Sequence, residues 1–220
     1  MQGKLIVFEG VEGCGKTTQI QRSRDWLLAR MTEIQPDVSI VVTREPGGTE
    51  LGVGLRQLLL EERGQPMFER AELLLYAADR AQHVEQVLKP TLAKGGIVLC
   101  DRYTYSTIAY QGYGRGLSLS LIQQLNQIAT GGLESDLTIW LDVDVEIGLS
   151  RAKARGKADR MEQAHLDFHR RVSQGYRELA TAQPERIVRV NASPSEAIVQ
   201  QQIQQILHNH LTQWHEQINN

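Results

Sequence analysis

The chain is poor in cysteine, and it has no long apolar run and no surplus of positive charge. Of its 220 residues only Cys14 and Cys100 are cysteines, far apart and without C-x-x-C spacing. That excludes a disulfide scaffold and the usual structural zinc sites, and it suits a reducing compartment. No apolar stretch approaches the ~20 residues that span a bilayer. The apolar run Leu5–Phe8 starts too near the N-terminus to leave room for a signal peptide, so a soluble cytoplasmic protein with no membrane partner is expected. A formal charge of −2 argues against a general nucleic-acid binder. The six histidines are scattered and form no metal constellation. The guanine-reading N-K-x-D and a D-x-x-G switch loop are both missing, which removes the GTPase switches. With neither an internal repeat nor a Pro/Gly/Ser-rich linker, residues 1–220 read as one domain.

What is present is a phosphate loop. Gly10-Val11-Glu12-Gly13-Cys14-Gly15-Lys16-Thr17 fits G-x-x-x-x-G-K-[ST]. It stands between the strand-like run Leu5–Phe8 and a helical pattern carrying Ile20, Leu27 and Met31 on one side. Glycines let successive backbone N–H groups converge on one anion at the positive end of a helix. Lys16 then adds a point charge between the outer phosphates, and the Thr17 hydroxyl is of the kind that ligates magnesium. With Thr18 the loop makes a nucleoside triphosphate site.

The rest of the chain alternates between strand and helix patterns. Strands are expected at 38–42, 97–100, 137–143 and 187–190. Helices are expected at 50–60, 68–88 (stopped by Pro90), 103–111 (closed by a loop at 112–116), 118–130, 146–155 and 162–182. A last helix is expected to open on Ser193 as N-cap, Pro194 in the first turn and Glu196 as capping-box partner. Such alternation implies an α/β fold, a five-stranded parallel sheet with helices on both faces. Its ligand site then lies at the carboxyl ends of the strands, where Thr43-Arg44-Glu45-Pro46-Gly47-Gly48-Thr49 and Asp101-Arg102-Tyr103 fall.

These segments, together with Phe8-Glu9-Gly10-Val11-Glu12-Gly13, Ala109-Tyr110-Gln111-Gly112, Arg115-Gly116 and Asp136-Leu137-Thr138, occur in an order that resembles the bacterial thymidylate kinases. The resemblance implies a P-loop nucleoside monophosphate kinase that converts dTMP to dTDP with ATP and Mg²⁺, working as a homodimer. It implies Arg80 and Tyr76 at the thymine, with Tyr76 in place of a phenylalanine common in the family. Thr107 and Gln111 would read the pyrimidine edge, and Tyr110 would crowd the sugar. Glu12 would meet the 3′-hydroxyl, while Arg102 and Arg56 would bind the acceptor phosphate with Glu45 nearby. Asp101 joins Thr17 as a magnesium ligand. Residues 150–162, with Arg151, Lys153, Arg155, Lys157 and Arg160, would form a lid whose Arg151 and Arg155 reach the transferring phosphoryl. By residue type alone other accounts stand beside these: a surface Tyr–Arg pair, Asp101 as a helix N-cap, and a solvated basic face. Another nucleoside monophosphate as acceptor, UMP, CMP or a deoxypurine nucleotide, and a non-catalytic nucleotide-binding regulator are the alternative functions.

Overall fold

A computed structural model describes residues 2–34, 38–61, 65–154, 156 and 159–219. Strands β1 (Lys4–Glu9), β2 (Ile40–Arg44), β3 (Ile97–Asp101), β4 (Leu137–Asp142) and β5 (Ile187–Asn191) form one parallel sheet in the order β2-β3-β1-β4-β5. The central strands β1, β3 and β4 are apolar because both of their faces are covered. Their period of two divides the core. Ile6, Phe8, Ile97 and Leu99 pack on one face, while Leu5, Val7, Val98 and Cys100 pack on the other. Asp136 fixes the entry to β1, accepting from Leu5 N at 2.8 Å and pairing with Lys4 at 3.0 Å.

The chain leaves β1 toward one side for β2 and β3, then crosses to the other side for β4 and β5. Its direction therefore reverses at β1, where open α/β sheets bind ligands. The register completes the placement. Phe8 and Arg44 both pair with Asp101, and Glu9 pairs with Trp140, so the polar residues gather on the carboxyl rim.

Around the sheet lie α1 (Lys16–Ile34), α2 (Glu50–Leu60), α3 (Glu69–His83), α4 (Lys89–Ala93), α5 (Thr104–Thr107), α6 (Leu119–Thr130), α7 (Val145–Lys153), α8 (Leu166–Ala182) and α9 (Glu196–Asn219). The helix α6 has the expected ends: the Ser118 side chain accepts from Leu121 N, and Gly131 closes it with φ +58°.

Four local expectations are corrected. Pro90 does not stop the 68–88 helix. A π-helical turn, Val84–Leu88, carries α3 into α4, and Pro90 falls in the first turn of α4, where its missing N–H costs least. The helix at 103–111 does not end in a loop either. It widens into a π-helical stretch, Ile108–Gly114, because Gly112 and Gly114 admit Leu119 and Phe168 where a Cβ would sit 2.5 and 2.6 Å from them. The helix expected from 162 begins at Leu166. Residues 160–164 form turns instead, held by Asp159, whose Oδ1 accepts from Met161 N and Glu162 N at 2.8 and 2.9 Å. The capping box at Ser193 is not made. Asn191 Oδ1 takes the Ser193 N–H at 3.0 Å, Arg22 takes the Glu196 carboxylate at 2.7 Å, and α9 opens at Glu196.

Candidate active site

The loop from Gly10 to Gly15 joins β1 to α1 through three left-handed glycines, Gly10, Gly13 and Gly15, at φ +146°, +69° and +94°. Lys16 folds back over it, donating to Gly10 O at 3.0 Å and Val11 O at 3.4 Å, with Cys14 Sγ 3.5 Å away. Gly13 also lies directly on α7. A Cβ at Gly13 would stand 1.9 Å from Gly148 O, and one at Gly148 would stand 2.5 Å from Glu12 O.

A cavity of about 650 Å³ opens from this loop across the carboxyl rim. That volume is in the range of small-molecule sites. Every predicted site residue among those described lines it except Gly10 and Val11, whose carbonyls hold Lys16. Arg155 lies outside the described residues.

On one side of Lys16 the cavity floor is built on Glu12 and Arg102. Arg102 has φ +71°, a conformation unusual for a side chain of its size. Its guanidinium donates to Glu12 Oε1 (3.2 Å), Tyr110 Oη (3.0 Å) and Ser106 Oγ (3.0 Å). Tyr110 in turn donates to Glu12 Oε1 at 2.5 Å. Burial alone would raise the Glu12 carboxyl, but His169, Arg102, Lys16 and Tyr110 outweigh it and hold the group down at about 2. His169 Nδ1 lies 3.3 Å from Glu12 Oε2, without hydrogen-bond alignment. Arg56, bonded to Pro46 O at 2.9 Å, has its charged form disfavoured by burial and by Arg44, with Asp101 opposing them. An anion placed there would relieve that cost.

Deeper in, Arg80 is 2% exposed and uses four of its five N–H groups on the protein. They go to Glu45 Oε2 (2.8 Å), Thr107 Oγ1 (2.8 Å), Asn126 Oδ1 (2.7 Å) and Tyr103 O (2.8 Å). Glu45 also binds His83 Nδ1 at 2.8 Å, and Thr43 Oγ1 meets His83 Nε2 at 2.7 Å. Asp79 supports the loop that carries Glu45 by accepting from Gly47 N at 3.0 Å. Tyr76 faces the same space, and burial, together with the Glu72 charge, raises its phenol, so the hydroxyl stays protonated.

Three residues that the sequence reading did not single out hold this side together. Glu9 ends β1 directly after the apolar run Leu5–Phe8. Its Oε1 accepts from Tyr103 N (2.9 Å) and Ser106 N (3.0 Å), and its Oε2 from Ser106 Oγ (2.6 Å) and Tyr176 Oη (2.8 Å). Glu9, not Asp101, therefore holds the start of α5. Asn126 orients Arg80, and Glu72 orients Gln111. A charged residue inside an apolar strand, and a glutamate one turn before Tyr76 and two before Arg80, were the available signals.

On the other side of Lys16 the cavity passes between α1 and the turn from β5 to α9, lined by Gln19, Arg151, Ala192, Pro194, Ser195 and Val199. Arg151 donates to Ala192 O at 3.2 Å and Ser193 O at 3.3 Å. Arg160 does not join it. Its Nε donates to Leu59 O at 2.7 Å and its NH2 lies 2.6 Å from Glu72 Oε2, so it ties the far end of the basic run to α2 and α3.

Comparison with known proteins places this geometry. The thymidylate kinase family profile matches residues 8–203. The chain belongs to the thymidylate kinase family. The thymidylate kinase of Nostoc punctiforme is 66% identical over 213 residues, covering 96% of this chain and 98% of that protein. That of Trichodesmium erythraeum is 60% identical, covering 97% and 99%. Among solved structures, the thymidylate kinase of Ehrlichia chaffeensis matches with a TM-score of 0.75 at 33% identity, covering 94% of this chain and all of that one. Membership makes the chain an ATP-dependent nucleoside monophosphate kinase.

Proposed function

We propose that the enzyme phosphorylates dTMP to dTDP inside this single cavity, with ATP on the Arg151 side of Lys16 and dTMP on the Arg102 side. The observation that carries this placement is the continuity of the lining. The phosphate loop, the two arginines Arg56 and Arg102, and the polar set Arg80, Thr107 and Gln111 all face one space.

In the transfer, an acceptor-phosphate oxygen bonds the γ-phosphorus as the bond to the β,γ-bridging oxygen breaks, and ADP departs. The acceptor phosphate is already ionised at neutral pH, so no general base is needed. Catalysis then rests on positioning and electrostatics. Lys16 meets the outer phosphates, Arg102 and Arg56 aim the acceptor phosphate, Glu12 takes the 3′-hydroxyl, and Tyr110 crowds the 2′ position. Thr17 and Asp101 suit Mg²⁺: both are oxygen donors lining the cavity, and Asp101 Oδ1 is buried without a hydrogen-bond partner. The ion would neutralise charge on the phosphates.

Residues 150–162 of this one-domain kinase act as the lid, with Arg151 and Arg155 serving the phosphoryl group. We further propose a homodimer that works in the cytoplasm. Leu51, Leu74, Leu121 and Ile128 are 54, 59, 46 and 77% exposed on the neighbouring helices α2, α3 and α6, an apolar face suited to a second copy. No helix among the described residues is long and apolar enough to cross a membrane.

A coupled ADP-release assay over a nucleotide panel tests the substrate. The expected result is dTMP preferred over UMP, dCMP and dGMP; preference for UMP overturns the placement of thymine.

A further inference from the structure

Gln111 is 1% exposed, yet its carbonyl oxygen receives no hydrogen bond from any described residue. Its amide nitrogen is committed, donating to Glu72 Oε1 at 2.7 Å. Glu72 sits one turn before Tyr76 on α3 and is itself 1% exposed. Arg115 NH2 lies 3.2 Å and Arg160 NH2 2.6 Å from its Oε2. Burial would raise this carboxyl, but the Gln111 amide and the two guanidiniums prevail and keep it below the usual range. An ionised carboxylate only accepts, so the Gln111 group facing it has to be the NH2. The Gln111 oxygen is thereby turned away from Glu72. Gln111 and Thr107 both line the cavity. Thr107 Oγ1 accepts from Arg80 NH1 at 2.8 Å, which leaves the Thr107 hydrogen free to donate.

The site then offers donors from Thr107 and Arg80 beside one acceptor from Gln111. A pyrimidine with a 4-carbonyl and an N3–H matches that set. Cytosine presents a 4-amino donor and a bare N3, and meets donor with donor and acceptor with acceptor. We propose that Glu72 is a specificity-determining positioning residue: by holding the Gln111 amide nitrogen, it presents the Gln111 carbonyl to the base and so selects 4-oxo over 4-amino pyrimidines. The inference rests on the placement of the acceptor base beside Gln111.

The test is kcat/KM for dTMP, dUMP and dCMP in the wild type and in E72Q, E72D, Q111A and R115Q. An amide at position 72 tolerates either orientation of Gln111. E72Q is expected to raise the dCMP:dTMP ratio by about tenfold or more and to leave dUMP:dTMP unchanged, because uracil and thymine share the edge being read. R115Q removes a different partner of Glu72 and is expected to leave both ratios alone. If E72Q does not fold, E72D decides by the same criterion, since it keeps the charge for Arg115 and Arg160 while withdrawing the carboxylate by one methylene. A purely structural role lowers all three substrates by a common factor, and a dCMP:dTMP ratio that stays at the wild-type value overturns the proposal. Q111A separates the two levels. If it leaves the ratio alone, the base does not sit at Gln111 and the placement has failed; if it raises the ratio while the Glu72 variants do not, only the role of Glu72 has failed.

Discussion

Arg80 and Glu45 form an ion pair at 2.8 Å with each side chain 2% exposed. Neither charge is repaid by water, so removing one partner strands the other. E45A is expected to lose about 3–5 kcal/mol of stability in urea denaturation, and to raise KM for dTMP because Arg80 is then free to turn away. E45Q keeps an acceptor for Arg80 and should lose less. Equal losses for the two variants would show that the pairing does not hold the guanidinium.

Asp79 gives a pH dependence of known sign. Burial and the nearby Glu45 charge raise its carboxyl to about 6, against the pull of Gly47 N–H, His83 and Arg80. The folded value lies above the unfolded one, so its contribution is fully present below about pH 4 and is lost as pH rises through about 6. D79N keeps an oxygen for Gly47 N–H and has no charge to bury. Its stability relative to the wild type should therefore improve by about 1–3 kcal/mol between pH 5 and pH 7.5. A difference that does not change with pH rejects this account.

Arg151, held by Ala192 O and Ser193 O, lies on the side of the cavity proposed for ATP. R151A is expected to reduce kcat by about tenfold or more, in keeping with the value of an arginine to a phosphoryl transition state, and to weaken ATP, while KM for dTMP stays near its wild-type value. Steady-state kinetics with each substrate varied in turn makes the separation. Loss of dTMP affinity alone would place Arg151 on the wrong side of Lys16.

The apolar face of α2, α3 and α6 makes a prediction about assembly. Charges introduced by L74E and I128E should shift sedimentation from dimer toward monomer without lowering the helical signal in circular dichroism. Unchanged sedimentation in the double variant would remove this face as the interface.

The five strands and their parallel pairing were legible, because each strand is a short apolar run set between helical patterns; their order across the sheet was not. The apolar run Leu5–Phe8 reads as a buried strand, and Gly10 to Thr17 follows at its carboxyl end. Arg56, Tyr76, Arg80, Thr107 and Gln111 were reached through resemblance, and the cavity brings them together. What escaped were interactions between elements distant in sequence. Nothing near Glu9 reveals that it accepts four hydrogen bonds from residues 103, 106 and 176. Nothing near Arg160 reveals that it clamps Leu59 and Glu72. The π-helical stretches were missed for a different reason. Apolar periodicity is blind to a single wide turn, and the packing of Phe168 against Gly114 that favours one is tertiary.

The contact of Gly13 with Gly148 has a mechanical consequence. Two bare backbones touch there, the loop Gly10–Gly15 on one side and α7, which leads into the proposed lid, on the other, with no side chain between them to absorb displacement. A rotation of α7 bears directly on Glu12 and Gly13. In the placement proposed above, the loop assigned to the donor phosphates and the carboxylate assigned to the acceptor sugar are thus geared to one contact.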